Sequence, residues 1–171
     1  PWVALSRIST EILPRRSVLM RLNATQGLPD QAVAANFDYV FIVMSLNQDF
    51  HPSKLERYLT VAWQSGALPV VILTKADLCE DKETYLSLLV STAPGIEAFC
   101  IFSVTGEGIY QMARFFEKGK TIVLLGSSGV GKSSLANCLM GKEEMLTGAI
   151  RTSDAQGRHT NYGLSVRQSD M

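Results

Sequence analysis

Four short apolar runs divide the chain into alternating segments. Each run is rich in Val, Ile and Phe and stays apolar at consecutive positions, which is typical of a strand covered on both faces in a parallel sheet. These runs occupy residues 39–46, 70–73, 98–102 and 121–125. Nearer the start, 2–5 and 11–13 predict two shorter strands.

Helical spacing fills the intervals between the runs. Ser53 and Glu56 have the spacing of a capping box, and the apolar face that follows ends at Gly66. That face contains Leu55, Tyr58, Leu59 and Ala62. A second helix is predicted over 81–91, a third with Ile109, Met112, Ala113 and Phe116 on one side, and a fourth over 132–141. The alternation of strands and helices predicts an α/β sandwich with right-handed crossovers.

Composition excludes several classes of protein. The chain has 171 residues, 46% of them hydrophobic, and its 16 basic and 16 acidic side chains cancel, so a strongly basic nucleic-acid binder is excluded. No apolar run approaches the ~18 residues of a membrane span, so we expect no membrane partner. Cys79, Cys100 and Cys138 form no C-x-x-C pair, which argues against disulfides and a zinc site and favours the cytoplasm.

The strongest chemical signal is a phosphate-binding loop. Residues 126–133 read G-S-S-G-V-G-K-S and fit the pattern G-x-x-x-x-G-K-[ST] between an apolar strand and a helix. The glycines let backbone N–H groups point at phosphate oxygens, and the helix N-terminus adds its positive end. The candidate nucleotide-binding residues here are Gly126, Ser127, Ser128, Gly129, Val130, Gly131, Lys132, Ser133 and Ser134.

Two weaker motifs point to guanine. Residues 74–77 read T-K-A-D and look like the N-K-x-D motif of GTPases, with Asp77 placed to accept hydrogen bonds from the base and the Lys75 stem to cover its plane. Residues 103–108 read S-V-T-G-E-G and resemble the S-A-x-x-G element. Both follow predicted strands, where open α/β sheets bind ligands. The candidate base-binding residues are Thr74, Lys75, Ala76, Asp77, Ser103 and Val104.

The order of these motifs is reversed relative to ordinary GTPases, since the guanine motifs precede the phosphate loop. A circular permutation explains the order without changing the site. With this order, the stretches 12–17, 35–40, 126–135 and 157–160 make the chain resemble the circularly permuted ribosome small-subunit biogenesis GTPases, the RsgA (YjeQ) family.

The resemblance implies a P-loop NTPase fold, a three-layer α/β sandwich of permuted motif order, preceded by the end of an OB-fold β-barrel. We therefore expect residues 1–34 to be the C-terminal part of an OB-fold with its linker, and 35–171 to be the GTPase domain. GTP or GDP and Mg²⁺ are the implied ligands. The ribosomal small subunit and its rRNA are the implied partners of a monomer.

Catalytic roles follow from the same resemblance. Lys132 would bring its charge to the β and γ phosphates, Ser133 and Thr160 would coordinate Mg²⁺, and His159 would orient the attacking water. Residues 154–157 spell D-x-x-G, which we interpret as a chance match because no buried strand precedes them. The family's D-x-x-G element follows a strand expected at about 162–167. We expect this sequence to lack that element and the family's C-terminal zinc domain, and hence to bind and hydrolyse nucleotide weakly.

Two other interpretations stay open on the residues alone. A nucleotide-regulated binding module or assembly scaffold would hold GTP or GDP with negligible turnover. An ATP-dependent P-loop kinase would carry T-K-A-D by chance, and its choice of base would not depend on Asp77.

Overall fold

A five-stranded sheet forms the centre of the structure. The computed structural model describes residues 3–5, 10–12, 14–21, 30–46, 50–102, 105–140 and 160–167. Its strands are β1 Val3–Leu5, β2 Thr10–Ile12, β3 Val18–Arg21, β4 Gln31–Ala35, β5 Tyr39–Ser45, β6 Leu68–Thr74, β7 Ala98–Cys100, β8 Thr121–Ser127 and β9 Thr160–Arg167. Its helices are α1 Pro52–Gln64, α2 Lys82–Thr92 and α3 Lys132–Met140, with 3₁₀ helices at Ala76–Leu78 and Ile109–Phe116.

Four parallel strands in the order β7-β6-β5-β8 confirm the predicted sheet. The fifth strand, β9, pairs antiparallel with β8 and confirms the strand expected at about 162–167. The early predicted strands are present as β1 and β2, which pair with each other. In the part of the chain that the structure describes, no helix is long and apolar enough to cross a membrane.

Two apolar layers cover the sheet, one on each face. Alternation along β5 sends Val40, Ile42 and Met44 to one core and Phe41 and Val43 to the other. Helices α1 and α2 pack on the first face, whereas the 3₁₀ helix Ile109–Phe116 and α3 pack on the second. This arrangement is the predicted three-layer sandwich.

The strand order places a crevice at the carboxyl ends of β5 and β8. The chain moves outward from β5 through β6 to β7 and then returns to the other side of β5. At such a reversal the loops leave on opposite faces, so they separate and leave room for a ligand. The phosphate loop leaves the sheet at this point.

Two helix predictions need correction. Helix α1 begins at Pro52 after His51, without a side-chain cap, so the Ser53–Glu56 capping box is wrong. Proline already suits the first turn because its φ is fixed and its missing N–H would have had no partner there. His51, the residue before this helix, is exposed.

The third predicted helix is a 3₁₀ helix, and this changes its buried face. Three residues per turn align positions 109, 112 and 115. Accordingly Met112 and Phe115 are buried while Ala113, predicted to be on the apolar side, is exposed.

Helix α2 agrees with its prediction and begins after Asp81, whose carboxylate accepts a hydrogen bond from the Thr84 backbone. Hydrogen bonds from Thr84 hold the pKa of Asp81 below its usual value.

The antiparallel hairpin of β3 and β4 is attached to the central sheet. The Ser17 hydroxyl donates to the Phe37 carbonyl at 2.6 Å and accepts from the Phe37 N–H at 2.8 Å. The Val18 N–H donates to the Ser65 carbonyl just after α1. Leu19 is fully buried in the core on the α1 face. The hairpin therefore contributes to the core between α1 and the central sheet, while the OB-fold origin of 1–34 and the boundary at residue 35 stay predictions.

Leu19→Ala tests whether the hairpin is part of that core. We expect it to lower the free energy of unfolding by about 2–5 kcal/mol, because it leaves a cavity among fully packed side chains. Val33→Ala on the partner strand removes a side chain that is 37% exposed and should cost about 0.5 kcal/mol or less. Urea denaturation measures both, and equal effects would show that the hairpin does not share the core.

Candidate functional site

Three glycines shape the phosphate loop, one through a close approach to a neighbouring strand and two through their backbone conformation. A Cβ atom on Gly126 would lie 2.3 Å from the Val43 carbonyl oxygen of β5, so the loop passes too close to that strand for any other residue. Gly129 and Gly131 have φ angles of 77° and 96°, which favour glycine. The backbone thereby turns from β8 into α3 within a few residues.

Lys132 lies at the start of α3 and folds back onto the loop. Its ammonium donates to the Gly126 carbonyl at 2.9 Å and to the Ser127 carbonyl at 2.6 Å. Ser133 and Ser134 follow in the first turn of α3 and are half-buried. A cation, a helix N-terminus and a curled backbone at one place form an arrangement suited to a polyphosphate.

Thr74 joins the first guanine motif to the phosphate loop. Its side chain is buried, and its hydroxyl donates to the Val130 carbonyl at 2.5 Å, with the Met44 carbonyl 3.3 Å away. The sequence predicted a polar group near the base, whereas in the structure this hydroxyl is directed at the loop backbone. The side chain of Val130 meanwhile packs into the second core.

Lys75 makes a second connection to the same loop. It has a left-handed backbone with φ of 56°, which is unusual for a residue with a side chain and costs about 1–2 kcal/mol. Its ammonium donates to the Gly129 carbonyl at 2.9 Å, so its aliphatic stem spans from β6 to the loop. That the stem covers a bound base stays a prediction.

Asp77 is presented to solvent directly beside these two residues. It lies in the 3₁₀ helix Ala76–Leu78 with its carboxylate exposed, while Ala76 is fully buried in the core. Asp77 is thus available to a ligand, whereas the Ala76 side chain serves packing.

The second guanine element lies partly outside the described residues. Ser103 and Val104 belong to that part, but the residues on either side are held in place: the Gly106 N–H donates to the Phe102 carbonyl at 2.8 Å. A Cβ on Gly106 would lie 3.3 Å from the Cys138 sulfur, which places this loop against α3. The end of β6 thus contacts the phosphate loop after β8, while the loop after β7 contacts the helix that follows the phosphate loop. Burial raises the pKa of the nearby Cys100 thiol, which favours its protonated form.

The switch candidates are only partly covered. His159 lies outside the described residues. Thr160 begins β9, where its backbone pairs with Ser127 at the first turn of the phosphate loop. The described residues contain no group of three His, Cys, Asp or Glu side chains able to hold a metal. Ser133 is the predicted magnesium ligand that the structure places beside the loop.

Sequence reasoning missed one residue that contacts the loop. The Tyr58 hydroxyl on α1 lies 3.1 Å from the Ser127 hydroxyl. Helical spacing placed Tyr58 correctly on the apolar face of α1. Period-two alternation through β8 could have placed Ser127 on the same side, but only if the strand were known to extend that far.

Comparisons with known proteins agree on one family. A family model described as RsgA GTPase matches residues 12–168. The chain is 48% identical over 149 residues to "Small ribosomal subunit biogenesis GTPase RsgA 2" of Listeria monocytogenes, covering 87% of this chain and 42% of that protein. It is 45% identical over 165 residues to the protein of that name from Lactiplantibacillus plantarum, covering 93% and 47%. The chain thus spans less than half the length of these relatives.

A solved structure supports the same grouping. The crystal structure of YjeQ from Thermotoga maritima aligns with a TM-score of 0.61 and 25% identity, covering 91% of this chain and 51% of that one.

Thr74→Val tests the connection between the guanine motif and the phosphate loop. Valine keeps the shape but leaves the buried Val130 carbonyl without its donor, so we expect nucleotide affinity to fall about tenfold. Because the hydroxyl contacts the loop, the preference for one base over another should stay unchanged. Titration with GTP and ATP measures both quantities.

Thr60→Val is the matched control, since Thr60 is exposed on α1 and its hydroxyl bonds only within the helix, to the Glu56 carbonyl. A selective loss of guanine preference in Thr74→Val would instead mean that the hydroxyl contacts the base.

Proposed function

The chain belongs to the RsgA GTPase family, and we propose that it binds GTP and hydrolyses it to GDP and phosphate. The observation that carries this proposal is the direct connection of two motifs whose bonded residues lie 54 and 56 positions apart in the sequence. Thr74 and Lys75 both bond to carbonyls of the phosphate loop, at Val130 and Gly129. A base held by Asp77 and phosphates held by the loop would thus belong to one ligand.

The chemistry requires positioning more than covalent participation by the protein. Water attacks the γ-phosphorus in line, the bond to the β–γ bridging oxygen breaks, and negative charge develops on the phosphate oxygens. We assign stabilisation of that charge to the Lys132 ammonium and to the N–H groups of residues 126–134. His159 as the residue that orients water and Thr160 as a switch residue are assigned by resemblance to the family.

Mg²⁺ would be held by the Ser133 hydroxyl together with phosphate oxygens of the nucleotide and water, and by Thr160 in the triphosphate complex. The donor set fits, because Mg²⁺ prefers hard oxygen ligands and retains several waters. When bound, the ion neutralises charge on the β and γ phosphates. Zinc, which is expected in the family's C-terminal domain, is not among the ligands that we propose for this chain.

The proposed cellular role is assembly of the small ribosomal subunit. The relatives are named small ribosomal subunit biogenesis GTPases, and the two alignments with them include 87% and 93% of this chain. We therefore propose the small subunit and its rRNA as partners, in the cytoplasm. The N-terminal residues, as the end of an OB-fold, would contribute to that contact.

Asp77→Asn tests the choice of base. The carboxylate accepts from both N1–H and the 2-amino group of guanine, so its loss should weaken GTP and GDP binding about 10- to 100-fold and leave ATP binding unchanged. Xanthosine triphosphate carries a carbonyl in place of the 2-amino group and should bind the variant better than GTP does, since asparagine can donate.

Asp81→Asn is the control, because Asp81 is also exposed and asparagine caps a helix equally well. Equal or tighter ATP binding by the parent chain, unaffected by Asp77→Asn, would contradict guanine recognition and favour a P-loop kinase.

Lys132→Met tests catalysis. Removing the ammonium should lower multiple turnover of GTP about 100-fold or more, because it stabilises charge that develops in the transition state. Phosphate release with excess GTP and Mg²⁺ measures the rate, and Lys118→Met changes an exposed lysine outside the loop. A parent chain that binds GTP but shows no turnover would favour the nucleotide-regulated binding module.

A further inference from the structure

A buried hydroxyl on α1 is directed at the phosphate loop. Tyr58 is 3% exposed and belongs to the core on the α1 face. Its hydroxyl lies 3.1 Å from the Ser127 hydroxyl. Packing alone would be served by phenylalanine, and burying a hydroxyl without a partner costs free energy. The hydroxyl is therefore explained by its contact with Ser127.

The strand geometry explains why Ser127 faces this helix. Side chains alternate along β8, and Val123 and Leu125 both point into the core on the α1 face. Ser127 is the last residue of β8 and continues that series. Its side chain is thus directed towards α1, away from the face that α3 covers.

The backbone of Ser127 meets a different group. Its carbonyl accepts a hydrogen bond from the Lys132 ammonium at 2.6 Å, next to the Gly126 carbonyl at 2.9 Å. Gly126 is fixed by its close approach to β5. Ser127 is one residue further along, where β8 pairs with β9 at Thr160 and no longer with β5, so its side-chain contact with Tyr58 adds a constraint from the α1 side.

We propose that Tyr58 is a positioning residue for the phosphate-binding lysine. The Tyr58 hydroxyl fixes Ser127, and the Ser127 carbonyl in turn fixes where the Lys132 ammonium lies when a nucleotide arrives. The inference rests on the proposed GTPase function and adds to it a residue outside both nucleotide motifs. It implies that α1 affects phosphate binding and has no effect on recognition of the base.

Three variants test the proposal: Tyr58→Phe, Ser127→Ala and the two combined. Loss of one neutral hydrogen bond should weaken GTP and GDP binding about two- to tenfold in each single variant. Because both changes break the same contact, the double variant should be no weaker than the worse single variant. The ratio of GTP to ATP affinity should equal that of the parent chain, since Asp77 is untouched.

Tyr85→Phe is the matched control. Tyr85 lies on α2 with its ring against Phe50, on the same face of the sheet but without a contact to the loop. It should keep parental affinity. If Tyr58→Phe failed to fold, Ser127→Ala would carry the test alone, because a small half-buried side chain at a strand end is lost with little effect on packing.

Two results would overturn the proposal: parental affinity in both single variants, whether or not the unfolding midpoint falls, or losses that multiply in the double variant. Each is distinct from failure of the proposed function, in which the parent chain itself would not bind GTP.

Discussion

A Cβ atom at Gly126 would lie 2.3 Å from the Val43 carbonyl, so the phosphate loop can leave β8 only along the surface of β5. The reversal of strand order makes these two strands neighbours, and their close approach fixes the origin of the loop. From there the loop lies beside the end of β6. Thr74 and Lys75 can then bond to the Val130 and Gly129 carbonyls. The nucleotide site thus depends on one backbone contact between parallel strands.

This dependence explains why the order of motifs along the chain is immaterial to the site. The contacts join strand ends that are adjacent in the sheet, whichever was synthesised first. Thr74 lies 56 residues before Val130, yet its hydroxyl donates a hydrogen bond directly to the Val130 carbonyl. A permuted chain retains the site provided that the strands keep their places in the sheet.

Much of this arrangement is predictable from the sequence, and the exceptions have physical reasons. Continuous apolar runs indicated the parallel strands, since burial on both faces removes alternation. The period of the segment 109–116 was ambiguous, because a short apolar stretch fits three residues per turn nearly as well as 3.6. The capping box failed because Pro52 starts α1 by a backbone preference that needs no side-chain acceptor.

The functional residues divide in the same way. The phosphate loop is recognisable because its chemistry needs fixed residue types at fixed spacing. The hydrogen-bond partner of Thr74 was not recognisable from the sequence, because a hydroxyl can bond either to a base or to a backbone carbonyl. The distance between the strand ends determines which of the two it reaches. Tyr58 was assigned to the correct face of its helix, but its target depends on where β8 stops. Predicting such contacts requires the three-dimensional positions of the side chains, whereas the sequence gives only the residue types and their order.

The attachment of the β3–β4 hairpin has a mechanical consequence. Val18 bonds to Ser65 at the end of α1, and Leu19 is buried beneath the same helix. Because a backbone hydrogen bond and a buried side chain join the hairpin to α1, a force applied to the hairpin would act on that helix. Tyr58 lies seven residues before Ser65, a distance of about 10 Å along the helix axis. A displacement of the hairpin would thus also shift α1, the helix whose Tyr58 contacts Ser127 of the phosphate loop.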